Sequence, residues 1–232
     1  MTASGPFTLE ARDQRKSART RARLMDAAVE VFARDGLEAA SVNEIARLAE
    51  VANGTFYVHF KDKDAVVAEV AYRIGSGFAR QINETMIHID DAAERFSWAT
   101  RQFIEMAASE PRWGWVLIRS AWYAPDLHRR MESSMRLDLE RGVRQGVFDC
   151  AIDGFVIATI LAMIMSALAA RLRGEAGADA GSRVSEMVLR MLGAPPSRAR
   201  EVAWRRIEFQ ALNLAVLPRP PRAAGTPRGM LK

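Results

Sequence analysis

Cysteine occurs once in the 232 residues, at Cys150, which excludes an internal disulfide and fits a reducing, cytoplasmic setting. No apolar run follows the early charges, so no secretory signal is expected. The longest apolar stretch, 155–170, is broken only by Thr159 and Ser166 and is 16 residues long. That falls short of the roughly 20 residues a bilayer requires, so it reads as a buried helix and not a membrane span. Gly-x-Ser-x-Gly, a glycine-rich phosphate loop after a strand, His-Glu-x-x-His and cysteine-rich metal spacings are all missing. An enzyme is therefore not expected, nor a cofactor. His88 and His128 lack a companion ligand at i+3 or i+4, so no metal site is expected either.

What is present is charge at the ends and helical periodicity between them. The net charge is +5, yet residues 1–23 and 218–232 together carry ten basic groups against two acids, so the middle is net acidic. Residues 1–17 read as a flexible basic arm, suited to a polyanion or simply solvated. Residues 218–232, with Pro218, Pro220, Pro221 and Pro227, read as a Pro/Arg-rich disordered tail.

Strand alternation is almost absent, and the fold class expected is all-α. Leu24, Ala27, Ala28, Val31 and Phe32 give one apolar face to a helix over 18–34, closed by Gly36. Ser41 and Glu44 form a capping box for a second helix with Val42, Ile45, Ala46 and Ala49 inward. A turn at Glu50-Val51 leads to a third helix over 53–60, with Phe56 and Phe60 facing in. Asp62 caps a fourth, in which Val66, Val70, Ile74, Phe78 and Ile82 recur every four residues. Further helices are predicted from Phe96 to a stop at Pro111, and over 113–123, 126–145, 153–171, 182–192 and 198–217.

The second and third of these helices form a helix-turn-helix, in which the second enters the DNA major groove and the first crosses the backbone. Asn53, Gly54 and Thr55 supply small or polar groups for base edges. Ser41, Tyr57, His59, Lys61 and Lys63 supply phosphate partners. Ser41, Ile45-Ala46, Val51, Gly54, the run Thr55-Phe56-Tyr57-Val58-His59-Phe60 and Lys63 stand in an order that resembles the tetracycline-repressor-like (TetR) family of bacterial transcription regulators, over about residues 18–70.

The resemblance implies a helix-turn-helix DNA-binding domain (18–63) followed by a larger helical domain (64–217) for effector binding and dimerisation. It places Asn43, Asn53, Gly54 and Thr55 near base edges and Ser41, Tyr57, His59 and Lys63 against phosphates. Two positions depart from the family pattern. Glu50 stands where the turn usually has glycine, at a left-handed cost of about 1 kcal/mol. Ala52 replaces a common serine, losing a cap worth about 1 kcal/mol.

In the larger domain the helix over 153–171 is apolar nearly all round and demands cover on every side. Pairing two copies through it and the following helix gives a homodimer that matches a palindromic operator in double-stranded DNA. Trp115, Arg119 and Trp122 share a helical face, and Phe103, Met106, Tyr123, Met131 and Met135 can line a cavity with them. These side chains suit an apolar or aromatic small-molecule effector anchored by Arg119, and they suit an ordinary core equally well. The function expected is a ligand-responsive regulator, most simply a repressor released by its effector. An activator of the same build, or a dimeric ligand-binding module with weak DNA affinity, is the alternative.

Overall fold

The computed structural model describes residues 5–120 and 125–211, without the side chains of 125–131. Among the described residues it holds eleven helices and no strand. The first five are α1 (Pro6–Glu10), α2 (Lys16–Ala39), α3 (Val42–Leu48), α4 (Asn53–His59) and α5 (Lys63–Thr85). Then come α6 (Ala92–Ser109), α7 (Pro111–Ser120), α8 (Pro125–Arg144), α9 (Gly154–Leu172), α10 (Ala180–Met191) and α11 (Pro196–Trp204).

The apolar periodicity sets the packing. Leu24, Ala28, Val31 and Phe32 of α2 are buried against α3, α5 and α7, and Val66, Val70, Ile74, Phe78 and Ile82 form the buried stripe of α5. Asp62 caps α5 by accepting from the Ala65 N–H at 2.8 Å. Pro111, expected to end a helix, opens α7, where its missing N–H costs nothing. Gly114 lets α7 press onto α6: a Cβ there would lie 2.6 Å from the Ala107 carbonyl oxygen.

Three expectations need correction. First, α2 breaks at Gly36 as expected, at φ 85° and ψ 171°, but does not end there: a short second helical piece follows to Ala39. Second, the N-terminal arm is docked from Gly5 onward. Phe7 is fully buried and stacks on Trp113 with ring centroids 6.2 Å apart. Asp26 accepts from the Phe7 and Thr8 backbone N–H groups at 3.1 and 2.8 Å and from the Thr8 hydroxyl at 2.5 Å. Burial nonetheless pushes the Asp26 carboxyl above its usual range, with those hydrogen bonds opposing it. Glu10 pairs with Arg73 of α5, whose guanidinium also covers the Phe7 ring. Short as it is, α1 joins α2, α5 and α7.

Third, the last helix stops at Trp204, and residues 206–211 run without helix or strand. The Gln102 amide donates to the Gln210 carbonyl at 2.7 Å and accepts from its N–H at 3.1 Å, while Gln81 donates to the Ala211 carbonyl at 2.7 Å. The expected end of that helix at 217 and the tail over 218–232 lie outside the described residues.

Candidate nucleic-acid interface

Ser41 starts α3 as expected, its hydroxyl accepting from the Glu44 N–H at 3.1 Å. The reciprocal half of the capping box is absent, because the Glu44 carboxylate bonds Arg47 at 2.7 and 3.0 Å and Arg34 at 3.1 Å. Those two guanidiniums, Arg47 foremost, hold the Glu44 carboxyl down at about 2. The α3–α4 turn closes with the Val51 N–H on the Ala46 carbonyl at 3.0 Å and the Glu50 N–H on the Arg47 carbonyl at 3.1 Å. That pattern requires a left-handed residue at Glu50, which has φ 54°, the one positive φ at a non-glycine among the described residues. Ala52 precedes α4 with no side-chain cap. Both departures read from the sequence are thus present in the backbone.

Phe56 and Phe60 are buried under α4, their rings 5.6 Å apart. The opposite face presents Asn53, Gly54, Tyr57, Val58 and Lys61 to solvent. Tyr57 is 56% exposed and Val58 79%, a large apolar exposure for so short a helix. Asn43 and Ser41 are exposed on α3, while Thr55 and His59 are half-buried. A Cβ at Gly54 would meet nothing within 4 Å, and its φ is not positive, so neither packing nor backbone requires glycine there. Glycine costs a helix about 1 kcal/mol relative to alanine, so its place on this face suits close approach by something outside the chain.

Behind α4 lies Arg21 of α2. Its guanidinium donates to the His59 carbonyl, pairs with Glu69 and sits 4.1 Å above the Phe60 ring. Burial, and secondarily the Arg21 charge, lowers the His59 pKa below that of free imidazole. Lys63 has a different place from the one expected. Its ammonium donates to the carbonyls of Leu37, Glu38 and Ala40 at 2.6, 3.2 and 3.1 Å, so all three N–H bonds close the end of α2 and none is turned to a phosphate.

The effector candidates are mostly placed in packing. Phe103 is buried edge-on against Phe78 at 5.9 Å, Met106 is buried, and Met135 packs half-buried against the core. Arg119, expected as a ligand anchor, donates from Nη1 to the carbonyls of Phe32 and Ala33 (2.9 Å to the latter), and its guanidinium lies 5.2 Å from the Trp115 ring. The kink at Gly36 is the reason, since it interrupts the helical ladder that those carbonyls would otherwise join. Trp122, Tyr123 and Met131 fall outside the described side chains. Val58 went unnoticed in the sequence because an exposed valine beside aromatics reads as filler. Its spacing of four from Gly54 is the signal that places it on the outward face.

Comparison with known proteins bears on this arrangement. The model described as "Bacterial regulatory proteins, tetR family" matches residues 24–70, and that of the tetracyclin repressor-like C-terminal domain matches residues 91–205. The chain belongs to the tetR family of bacterial regulatory proteins. Its function class is accordingly helix-turn-helix DNA binding and transcription regulation.

This tetR-family chain is 29% identical over 87 residues to the fatty acid metabolism regulator protein of Bacillus subtilis strain 168, covering 38% of this chain and 45% of that protein. Over 49 residues it is 39% identical to the uncharacterized HTH-type transcriptional regulator YvdT of the same strain, covering 21% of this chain and 25% of that one. The aligned stretches thus span less than half of either relative. Among solved structures, RolR in complex with resorcinol is 25% identical, with 85% of this chain and 98% of that one covered and a TM-score of 0.63. FadR from Bacillus subtilis in complex with stearoyl-CoA shares the fold at 21% identity, 73% and 96% coverage and a TM-score of 0.62.

Proposed function

We propose that the protein is a homodimeric repressor, acting in the cytoplasm, that grips a palindromic operator with α4 in the major groove and lets go when a small molecule binds the larger domain. One observation carries the DNA reading: the outward face of α4 joins a carboxamide, a bare glycine, a phenol and an isopropyl group that the fold itself leaves unused. Asn53 suits adenine, Val58 a thymine methyl, and Tyr57 and Lys61 suit phosphates. Gly54→Ala tests it. The variant is expected to be more stable by up to about 1 kcal/mol and yet to bind operator at least tenfold more weakly in a mobility shift. Undiminished binding would remove α4 from the interface.

His59 gives a second test. In the free protein burial, and secondarily Arg21, lowers its pKa. A phosphate beside it raises that pKa, so the complex takes up a proton and affinity rises as pH falls from 8 to 6. His59→Gln is expected to flatten this profile, and a profile unchanged by the substitution contradicts the contact.

The homodimer rests on α9. It is 19 residues long with mean hydropathy 2.2, apolar and long enough by composition to cross a membrane, and only 28% of it is buried in the single chain. Ile157, Ile160, Ile164 and Leu168 face the core. Phe155, Ala162 and Ser166 on α9 and Met187 and Met191 on α10 stay exposed, as one chain leaves a four-helix seam. For the effector, the likeness to RolR with resorcinol supports a small aromatic compound. Arg119 then serves differently from a ligand anchor: α7 grips the kinked end of α2 through it, a direct route from the larger domain to the reading head.

A further inference from the structure

Among the described residues, Arg101 of α6 is a buried guanidinium with no anion beside it. It is 8% exposed, and none of the described carboxylates pairs with it. One N–H donates to the Arg205 carbonyl at 2.7 Å, the Phe209 ring lies 5.9 Å away, and the Nε–H is enclosed without any partner. The acids nearby are already engaged: Glu94 and Glu201 each bond both Arg198 and Arg205, and Asp91 bonds Arg198. A second orphan lies in the same seam. α10 packs on α6 through Gly181, where a Cβ would be 3.1 Å from the Arg101 Cα. One turn further along that face the fully buried Ser185 hydroxyl also has no partner.

A guanidinium removed from water with only a neutral carbonyl for company carries a large uncompensated desolvation cost. Natural proteins keep such a group where something charged comes to it. The cover over Arg101 is light: residues 205–211 are mostly exposed, and beyond Arg205, which pairs with Glu94 and Glu201, they are tied down chiefly by Gln102 and Gln81. Segments held by so few contacts open locally at small cost.

We propose that Arg101 is an anion site, specific for a carboxylate-bearing small molecule, and that residues 205–211 form the lid over it. With the lid lifted, the Nε–H and neighbouring N–H edge of Arg101 takes the two carboxylate oxygens side-on, the planar geometry that guanidinium matches best. In the closed state the Arg205 carbonyl holds the guanidinium by Nη1, on the side away from that edge. On the helical wheel Arg101 points away from Phe103 and Met106, so this site is separate from the effector candidates and stands whether or not the regulatory reading holds.

The test follows the Nε–Hε resonance of Arg101 in the full-length protein during titration with benzoate and, separately, with inorganic phosphate. Benzoate is expected to shift it saturably. Gln81→Ala/Phe209→Ala, which loosens the lid through two side chains outside the core, is expected to bind about tenfold more tightly because the open state is more populated. Arg101→Gln is expected to lose saturable benzoate binding. Should that variant not fold, the titration of the wild-type and lid-loosened proteins decides. Saturation by phosphate with none by benzoate overturns the carboxylate assignment, and an Arg101 signal that neither anion moves in either protein overturns the site.

Discussion

Replacing Phe7 with alanine is expected to destabilise the protein by about 3–5 kcal/mol, the range for removing a fully buried aromatic ring. In a chain read from sequence alone the same substitution would be silent, since residue 7 belongs to an arm expected to be solvated. The ring is fully buried, stacks on Trp113 and lies beneath the Arg73 guanidinium. Its backbone N–H is held by Asp26. Loss of the ring opens a cavity between α2, α5 and α7 and frees the Glu10–Arg73 pair to hydrate. Urea unfolding of Phe7→Ala beside wild type measures the effect. A change under about 1 kcal/mol would mean that α1 rests on the protein without stabilising it.

The second large effect concerns DNA affinity through the dimer. Ala162→Arg places a guanidinium on the exposed face of α9, between Phe155 and Ser166. In an isolated chain that change costs little, within about 0.5 kcal/mol, because the position faces water. In a two-fold pair it sets two like charges into an apolar seam, a cost that separates the subunits. Operator binding then loses its bivalency, and affinity falls by about 10²–10⁴ with every DNA-facing residue intact. Light scattering should report a monomer, and a mobility shift the loss of affinity. A variant that stays dimeric, or binds operator as a monomer with unchanged affinity, would move the interface elsewhere.

Local signals in the chain were legible where the physics is local. Ser41 and Asp62 cap the helices they were expected to cap, the four-residue spacing of Val66 to Ile82 became the buried stripe of α5, and Glu50 took the strained turn conformation. The unread parts depend on residues far apart. α1 is five residues long, too short for periodicity, and its anchor Asp26 lies 18 or more positions on. Lys63 and Arg119 carry the charge and reach expected of ligand contacts. Their partners are carbonyls at the end of α2 for Lys63 and just before the kink at Gly36 for Arg119, a kink whose only trace in the sequence is one glycine. The exposed face of α4 was read nearly whole because solvent-facing positions of a short helix follow from its period. Val58 escaped because its chemistry, unlike its position, is unremarked.

The most direct test of α4 as the DNA-reading element is the ionic-strength dependence of binding to a palindromic duplex selected from a random pool by the full-length protein. A dimer holding phosphates on both half-sites is expected to give one complex, with log K falling linearly and steeply as log salt rises, and a shallower slope for Tyr57→Phe/Lys61→Ala. A protein that retains no duplex even in dilute buffer, or a complex indifferent to salt and to those substitutions, would contradict it.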